Sequence, residues 1–351
     1  MTVIAERERT REEDRTRGRS GLGLSAGLLV ALGVLAMVSF LSITLGARGV
    51  GPGTIWTAFT DYDQSSAAQT VIREMRVPRT LLGLAVGVAL GLGGAILQGA
   101  TRNPLADPGI MGVNAGAAAF IVVSIMIFGT MPLSVYVWVA FLGAGAATAL
   151  VYTVASFGRE GATPVKLALA GAAVSAALYS ITTGTVLMNT QALNELRFWQ
   201  VGSLAGRYWP VLLQAAPFIV VASVVALACG RLLNGLALGD DMATALGQRV
   251  RATRALLFVT VAVLCGAATA ACGPIVFVGL VVPHAARAIC GPDYRWIMVY
   301  TAVLSPIILL GADIIGRLAL GASELQVGVV LGVLGAPAFI ALVRFRNLAE
   351  L

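Results

Sequence analysis

Lysine and histidine are nearly missing from this 351-residue sequence, which has one of each, Lys166 and His284. A single lysine, in GATPVK, leaves no G-x-x-x-x-G-K-[ST] phosphate loop, so the chain carries no ATP-hydrolysing site of that kind. A single histidine excludes a zinc-protease pair or a haem held by two histidines within one chain. His284 follows Pro283 near the end of an apolar run, where packing or helix-end hydrogen bonding suits it better than catalysis. The four cysteines, Cys229, Cys265, Cys272 and Cys290, are scattered in apolar sequence without metal-ligand spacing and read as packed thiols. Charge is scarce as well. Only 12% of the residues are charged, where soluble domains carry about 25%.

What fills the sequence is apolar: 58% hydrophobic residues, with 41 glycines. A bilayer core is crossed by about 20 apolar residues in a helix. Charge-free runs cover 20–46, 80–101, 108–158, 167–194, 208–230, 255–286, 296–312 and 325–343. The run over 108–158 is long enough for two spans, with GTMPLS (129–134) as the turn between them. The run over 255–286 splits at Cys272-Gly273-Pro274. Ten spans result, near 23–46, 80–100, 108–129, 133–157, 167–188, 210–230, 255–272, 274–290, 296–317 and 325–343. The fold class is therefore an all-α polytopic membrane protein. Its organisation is a tail over 1–22, a ten-helix domain over 23–346 and a short tail over 347–351.

Ten spans put both termini on one side of the membrane. Seventeen of the basic residues fall on that side, and only Arg48, Arg73, Arg76, Arg79, Arg197, Arg207 and Arg317 on the other. The positive-inside rule places both termini in the cytoplasm. The tail mixes six arginines with five acids and reads as disordered, with Arg15, Arg17 and Arg19 anchoring the first span. That span exceeds a signal-peptide core and reads as retained. No soluble domain carries a clustered basic face, so nucleic acid is not a partner.

Ion carriers keep ionisable groups facing a pathway inside the membrane. Asp313 is the one acid well inside a span here, and Arg317 follows at i+4 on the same helix face. An intrahelical pair explains it more simply than a proton relay. A proton-coupled carrier and a membrane-embedded enzyme are the rival classes, and neither finds the groups it needs.

Gly83, Gly87 and Gly91 recur every four residues in span two, with Gly94 nearby, a stripe that lets another helix approach closely. The connector TRNPLADPG (101–109) holds Asn103-Pro104 and Asp107-Pro108, each biased away from helix before proline, so with Arg102 it reads as a tight cytoplasmic turn. On the other side, Arg76 and Arg79 flank Val77-Pro78 at the mouth of span two, with Arg317 at the end of span nine. Arginines at such a rim suit carboxylate partners, which the planar fork binds at two points, though interfacial snorkelling also accounts for them.

The segment LALGDDMATALG (236–247) places Leu238, Met242, Ala245 and Leu246 at helical spacing, with Asp240 and Asp241 opening it after Gly239 and Gly247 closing it. A helix of about 12 residues is marginal alone in water. Burying its leucines and methionine in a groove adds ~1.5–3 kcal/mol each, which outweighs the tenths of a kcal/mol from the two aspartates. Its acidic polar face argues against a helix lying on lipid. A cytoplasmic protein partner is expected.

Taken together, the motifs resemble those of the FecCD-type permeases, membrane subunits of ATP-binding-cassette importers for ferric siderophores, haem and vitamin B12. The resemblance spans roughly residues 25–345. It rests on R-V-P-R (76–79), Gln98, RNPLADPGIMGVNAGA (102–117), LRFWQVGSL (196–204) and LALGDDMATALG (236–247). It continues through GPIVFVGLVVPHAAR (273–287), GPDYR (291–295), ADIIGR (312–317) and ELQVGVVLGVLGAPAFI (324–340). Its LRFWQVGSL and TRNPLADPGIMGVNAGA wording is most similar to ferric-enterobactin-type permeases.

The resemblance implies a type II importer domain paired with a second permease, identical or homologous, in the cytoplasmic membrane. It implies two separate ATPase subunits holding ATP and Mg, so no cofactor in this chain, and an extracytoplasmic binding protein that delivers the ferric siderophore. Residues 238–247 (Leu238, Gly239, Asp240, Asp241, Met242, Ala245, Leu246, Gly247) would be the coupling helix. Arg76, Arg79 and Arg317 would meet glutamates of the binding protein, and spans five and ten would line the pathway. Haem and vitamin B12 are the alternative cargoes. Gln326, where the family commonly has proline, and Tyr294, in place of a frequent histidine, depart from the pattern.

Overall fold

The computed structural model describes residues 21–46, 51–157, 163–319 and 323–345, and every regular element among them is helical. The two chain tails, Arg48, Arg159 and Arg346 lie outside the described residues. In chain order the helices are α1 (Gly21–Thr44), α2 (Pro52–Thr60), α3 (Ala67–Thr70), α4 (Val77–Thr101), α5 (Val113–Phe128), α6 (Leu133–Ser156), α7 (Pro164–Met188) and α8 (Thr190–Gln200). They continue as α9 (Trp209–Ala228), α10 (Gly230–Ala237), α11 (Asp240–Ala245), α12 (Val250–Cys272), α13 (Val278–Cys290), α14 (Tyr294–Ala319) and α15 (Val327–Phe345). Seven helical runs are long and apolar enough to cross a membrane: α1, α3–α4 together, α6, α7, α9, α12 and α14. The shorter apolar helices α5, α13 and α15 supply the third, eighth and tenth of the ten expected spans.

Helix α4 is the mast of the bundle. It packs against α9, α12, α13 and α14, and most of it is buried. Its glycines explain the closeness. A Cβ on Gly87 would stand 2.5 Å from the Pro306 Cα of α14, and one on Gly94 would strike the Gly279 carbonyl of α13. With little hydrophobic drive between helices in lipid, such backbone approach is what membrane helices pack by.

The spans end where the turn residues direct. Gly129 (φ +75°) stops α5, and Pro132 precedes α6. Gly273 (φ +75°) stops α12. Helix α13 starts at Val278 rather than 274, because Pro274 to Phe277 form a non-helical step ending in a left-handed Phe277 (φ +69°). Tyr294 makes the α13–α14 turn rigid: its backbone N–H donates to Asn234 Oδ1 (2.8 Å), and its hydroxyl accepts from Arg287 (2.7 Å). Helix α15 begins directly after Gln326.

Span two starts earlier than the sequence indicates. Helix α3 runs through a π-turn (Val71–Arg76) into α4 without a break. The wide turn, in which the Val77 N–H reaches back to the Ile72 carbonyl, accommodates Pro78, which has no N–H to give. Arg76 and Arg79 are therefore carried on a helix.

Candidate functional site

Two regions at opposite ends of the helices hold the residues singled out above. The first is the α10–α11 corner. The segment expected as one helix is broken by Gly239 (φ +106°): α10 ends at Ala237, the helical part of 238–247 is α11 (Asp240–Ala245), and α10, the Gly239 kink and α11 together form the corner. Only glycine takes that backbone angle readily. The corner is held down by Leu233, Leu236 and Ala243, all buried. The Gln248 N–H donates to the Ala243 carbonyl (2.9 Å) and closes it. Leu238, Met242 and Leu246 point the other way and are 65%, 53% and 63% exposed.

Asp240 does more than start α11. Its Oδ1 accepts from Arg102 (3.0 Å) and from Arg254 (2.9 Å). One carboxylate thus joins the corner to the α4–α5 turn and to α12. In that turn Arg102 is left-handed (φ +50°), which lets the Asn103 N–H cap α4 on the Gln98 carbonyl (3.1 Å). Asp107 accepts from the Gly109 N–H (2.8 Å), and burial holds its carboxyl above the usual range despite that bond. Pro108 is buried beside Gly279. The side chain of Gln98 donates to the Gly279 and Leu280 carbonyls (3.3 and 3.1 Å), tying α4 to α13.

The second region is the arginine end. Sequence spacing places Arg76, Arg79 and Arg317 at a rim; the structure places them inside it. Asp313 accepts Arg79 at two points (3.1 and 2.8 Å) and Arg317 at 2.6 Å, the i+4 pair expected from the spacing. Arg79 also reaches Glu324 (2.7 Å). Arg317 donates to the Ser42 carbonyl (2.7 Å) and hydroxyl (2.7 Å), while Arg76 donates to the Ile43 and Thr44 carbonyls (2.9 and 2.8 Å). Those are the carbonyls an α-helix leaves open at its C-terminus, so two arginines cap α1. Asp313, buried between two guanidinia, is a structural anchor.

This helical frame now bears comparison with known proteins. The description "FecCD transport family" matches residues 34–345. The chain belongs to the FecCD transport family. Among curated relatives it is 44% identical over 321 residues to the ferric enterobactin transport system permease protein FepD of Escherichia coli (strain K12), covering 92% of this chain and 95% of that one. It is 36% identical over 350 residues to the cobalamin import system permease protein BtuC of Halobacterium salinarum, covering 96% and 93%. A solved inward-facing structure of a metal-chelate-type ABC transporter superposes with TM-score 0.80 at 26% identity, covering 92% of this FecCD chain and all of that one.

Sequence reasoning missed three participants. Glu324 and Ser42 complete the arginine end, and Arg254 completes the Asp240 junction. None has a spacing signal, since their partners lie far away in the chain or across a loop.

Proposed function

We propose that this chain is the membrane-spanning permease subunit of an ATP-driven importer of a ferric siderophore in the cytoplasmic membrane, with both termini cytoplasmic. A second permease, two ATPase subunits holding ATP and Mg, and an extracytoplasmic binding protein complete the machine. The observation that carries the reading is the α10–α11 corner, where three large apolar side chains stand exposed on a base of buried ones. An ATPase groove is the partner that such a cytoplasmic corner suits. Movement of the corner would pass through Asp240 to the α4–α5 turn and α12, and so to the helices around α4. The siderophore cargo follows the enterobactin relative, and the cobalamin relative supports the corrinoid alternative.

The test pairs two measurements, comparing cells that lack the native gene with the same cells carrying it restored, the only ones in which transport is expected. Radio-iron from a catecholate siderophore, a hydroxamate siderophore and haem is followed beside labelled corrinoid, with and without ATP depletion. ATP-dependent iron flux from one siderophore is expected; corrinoid flux alone would overturn the iron cargo. In parallel, Leu238→Asp with Leu246→Asp should leave membrane insertion intact and abolish co-purification of the ATPase. Recovery of the ATPase at wild-type stoichiometry rules out the coupling role.

A further inference from the structure

Helices α6 and α12 pack side by side, yet a groove of about 610 Å³ stays open between them on the outside of the bundle. Gly145, Ala149, Ala255 and Ala262 keep it wide, and Leu142 and Val259 on its rims are exposed. Gly145 is unlike the glycines of α4. A Cβ there would meet nothing within 4 Å, whereas one on Gly143, two residues earlier, would strike the Gly116 carbonyl of α5. One glycine of α6 lets a neighbouring helix close in; the other faces space. Rings set the walls: Tyr152 stacks on Phe258 with centroids 5.4 Å apart, and Phe141 on Phe218 of α9 at 5.0 Å. The wall threonines, Thr148 and Thr153, donate to the Ala144 and Ala149 carbonyls of their own helix (2.9 and 2.7 Å), so their hydroxyl protons are spent within the chain. What the groove offers is hydrocarbon surface.

Charge stands at one end of it. Arg251 precedes Ala255 by one turn, on the helix face that brings Ala255, Val259 and Ala262 to the groove. It is exposed, as is Arg249 beside it at the start of α12. Helical side chains lean towards the N-terminus, which carries the Arg251 guanidinium away from the hydrocarbon. At 1.5 Å per residue, Arg251 lies about 18 Å along α12 from Val263, the far lining residue, and one leaflet of a bilayer's hydrocarbon core is about 15 Å deep. A basic group at headgroup level therefore heads an apolar slot of leaflet depth. An anionic phospholipid matches both parts, and basic sites between spanning helices on the cytoplasmic side select such headgroups. A helix of a second permease would rest on the rims and leave the slot beneath them unfilled.

We propose that the α6–α12 groove binds an anionic phospholipid of the leaflet at the start of α12, the cytoplasmic leaflet in the orientation proposed above. One acyl chain fills the space over Gly145 and Ala149, against Val259 and Ala262. The phosphate accepts from Arg251, whose fork can hold two of its oxygens. The acyl chain takes the place of the side chains that α6 lacks there, and Arg251 selects the headgroup.

The test is native mass spectrometry of the full-length protein in detergent, with the thermal midpoint followed in parallel. It is titrated with phosphatidylglycerol, with phosphatidylcholine, and with glycerol phosphate, which has no acyl chain. The wild type should hold one phosphatidylglycerol at a concentration at least tenfold below that needed for phosphatidylcholine, and should retain no glycerol phosphate. Gly145→Leu with Ala149→Leu fills the groove and should remove that lipid, together with the rise in midpoint that it gives the wild type. Arg251→Gln, at an exposed position, should keep the lipid-free midpoint and bind the two lipids alike. Arg251→Lys should keep part of the preference, since it returns the charge without the fork. Equal binding of the two lipids by the wild type, or wild-type binding of phosphatidylglycerol by the filled variant, overturns the proposal. An unchanged preference in Arg251→Gln overturns it too. Loss of dimers in the filled variant with no change in bound lipid overturns it in favour of a second copy of the chain as the occupant.

Discussion

At the arginine end of the molecule Arg79, Asp313 and Arg317 are largely buried and paired within the chain, whereas at the α10–α11 corner Asp240 and Arg102 stand nearly half in solvent and Leu238, Met242 and Leu246 are exposed. Asp313 and Arg317 are almost fully enclosed, yet Asp240 keeps 40% of its side chain exposed while holding two arginines. The difference shows that charge does two jobs here. Inside the arginine end it fixes one helix to another, because a buried ion that loses its partner is costly. At the corner it only orients, and the energy available for a partner sits in Leu238, Met242 and Leu246.

The sharpest way to break the comparison is at Asp313. Asp313→Ala leaves Arg79 and Arg317 enclosed without their shared carboxylate, and should destabilise by about 3–5 kcal/mol. The thermal midpoint and yield of the detergent-solubilised protein check it; a wild-type midpoint would mean the pair is not an anchor. At the corner, Ala243→Asp buries a charge beneath α11 and should cost at least about 2 kcal/mol. Leu246→Asp, three residues on, should stay within about 0.5 kcal/mol of wild type because it already faces outward. Equal losses in the two variants would erase the division between base and face. A smaller effect than that of Ala243→Asp is expected for Asp240→Asn, whose two pairs leave 40% of the Asp240 side chain exposed and contribute about 0.2–1 kcal/mol each. Its midpoint should fall slightly and the fall should vanish at high salt.

The layout of ten apolar helices was legible because bilayer thickness forces length and composition together, and turns such as GTMPLS punctuate the runs. The glycine stripe of α4 was legible as a packing surface for the same local reason, as was the Asp313–Arg317 pair, one helical turn apart. The pairing of Arg79 with Asp313, 234 positions away, had no such signal. Arginines beside Pro78 look like a loop mouth until the π-turn carries the helix through them. The corner was read as one helix because its apolar spacing continues across Gly239, while the break depends on a backbone angle that side-chain periodicity does not report.

The capping of α1 has a consequence for how the protein is made. Only 11% of the apolar window of α1 is buried inside the bundle, and its far end is tied by Arg76 and Arg317. Arg317 follows its Ser42 partner by 275 residues. Helix α1 therefore waits in lipid for a latch that is translated 275 residues later, and a chain truncated before α14 lacks that hold.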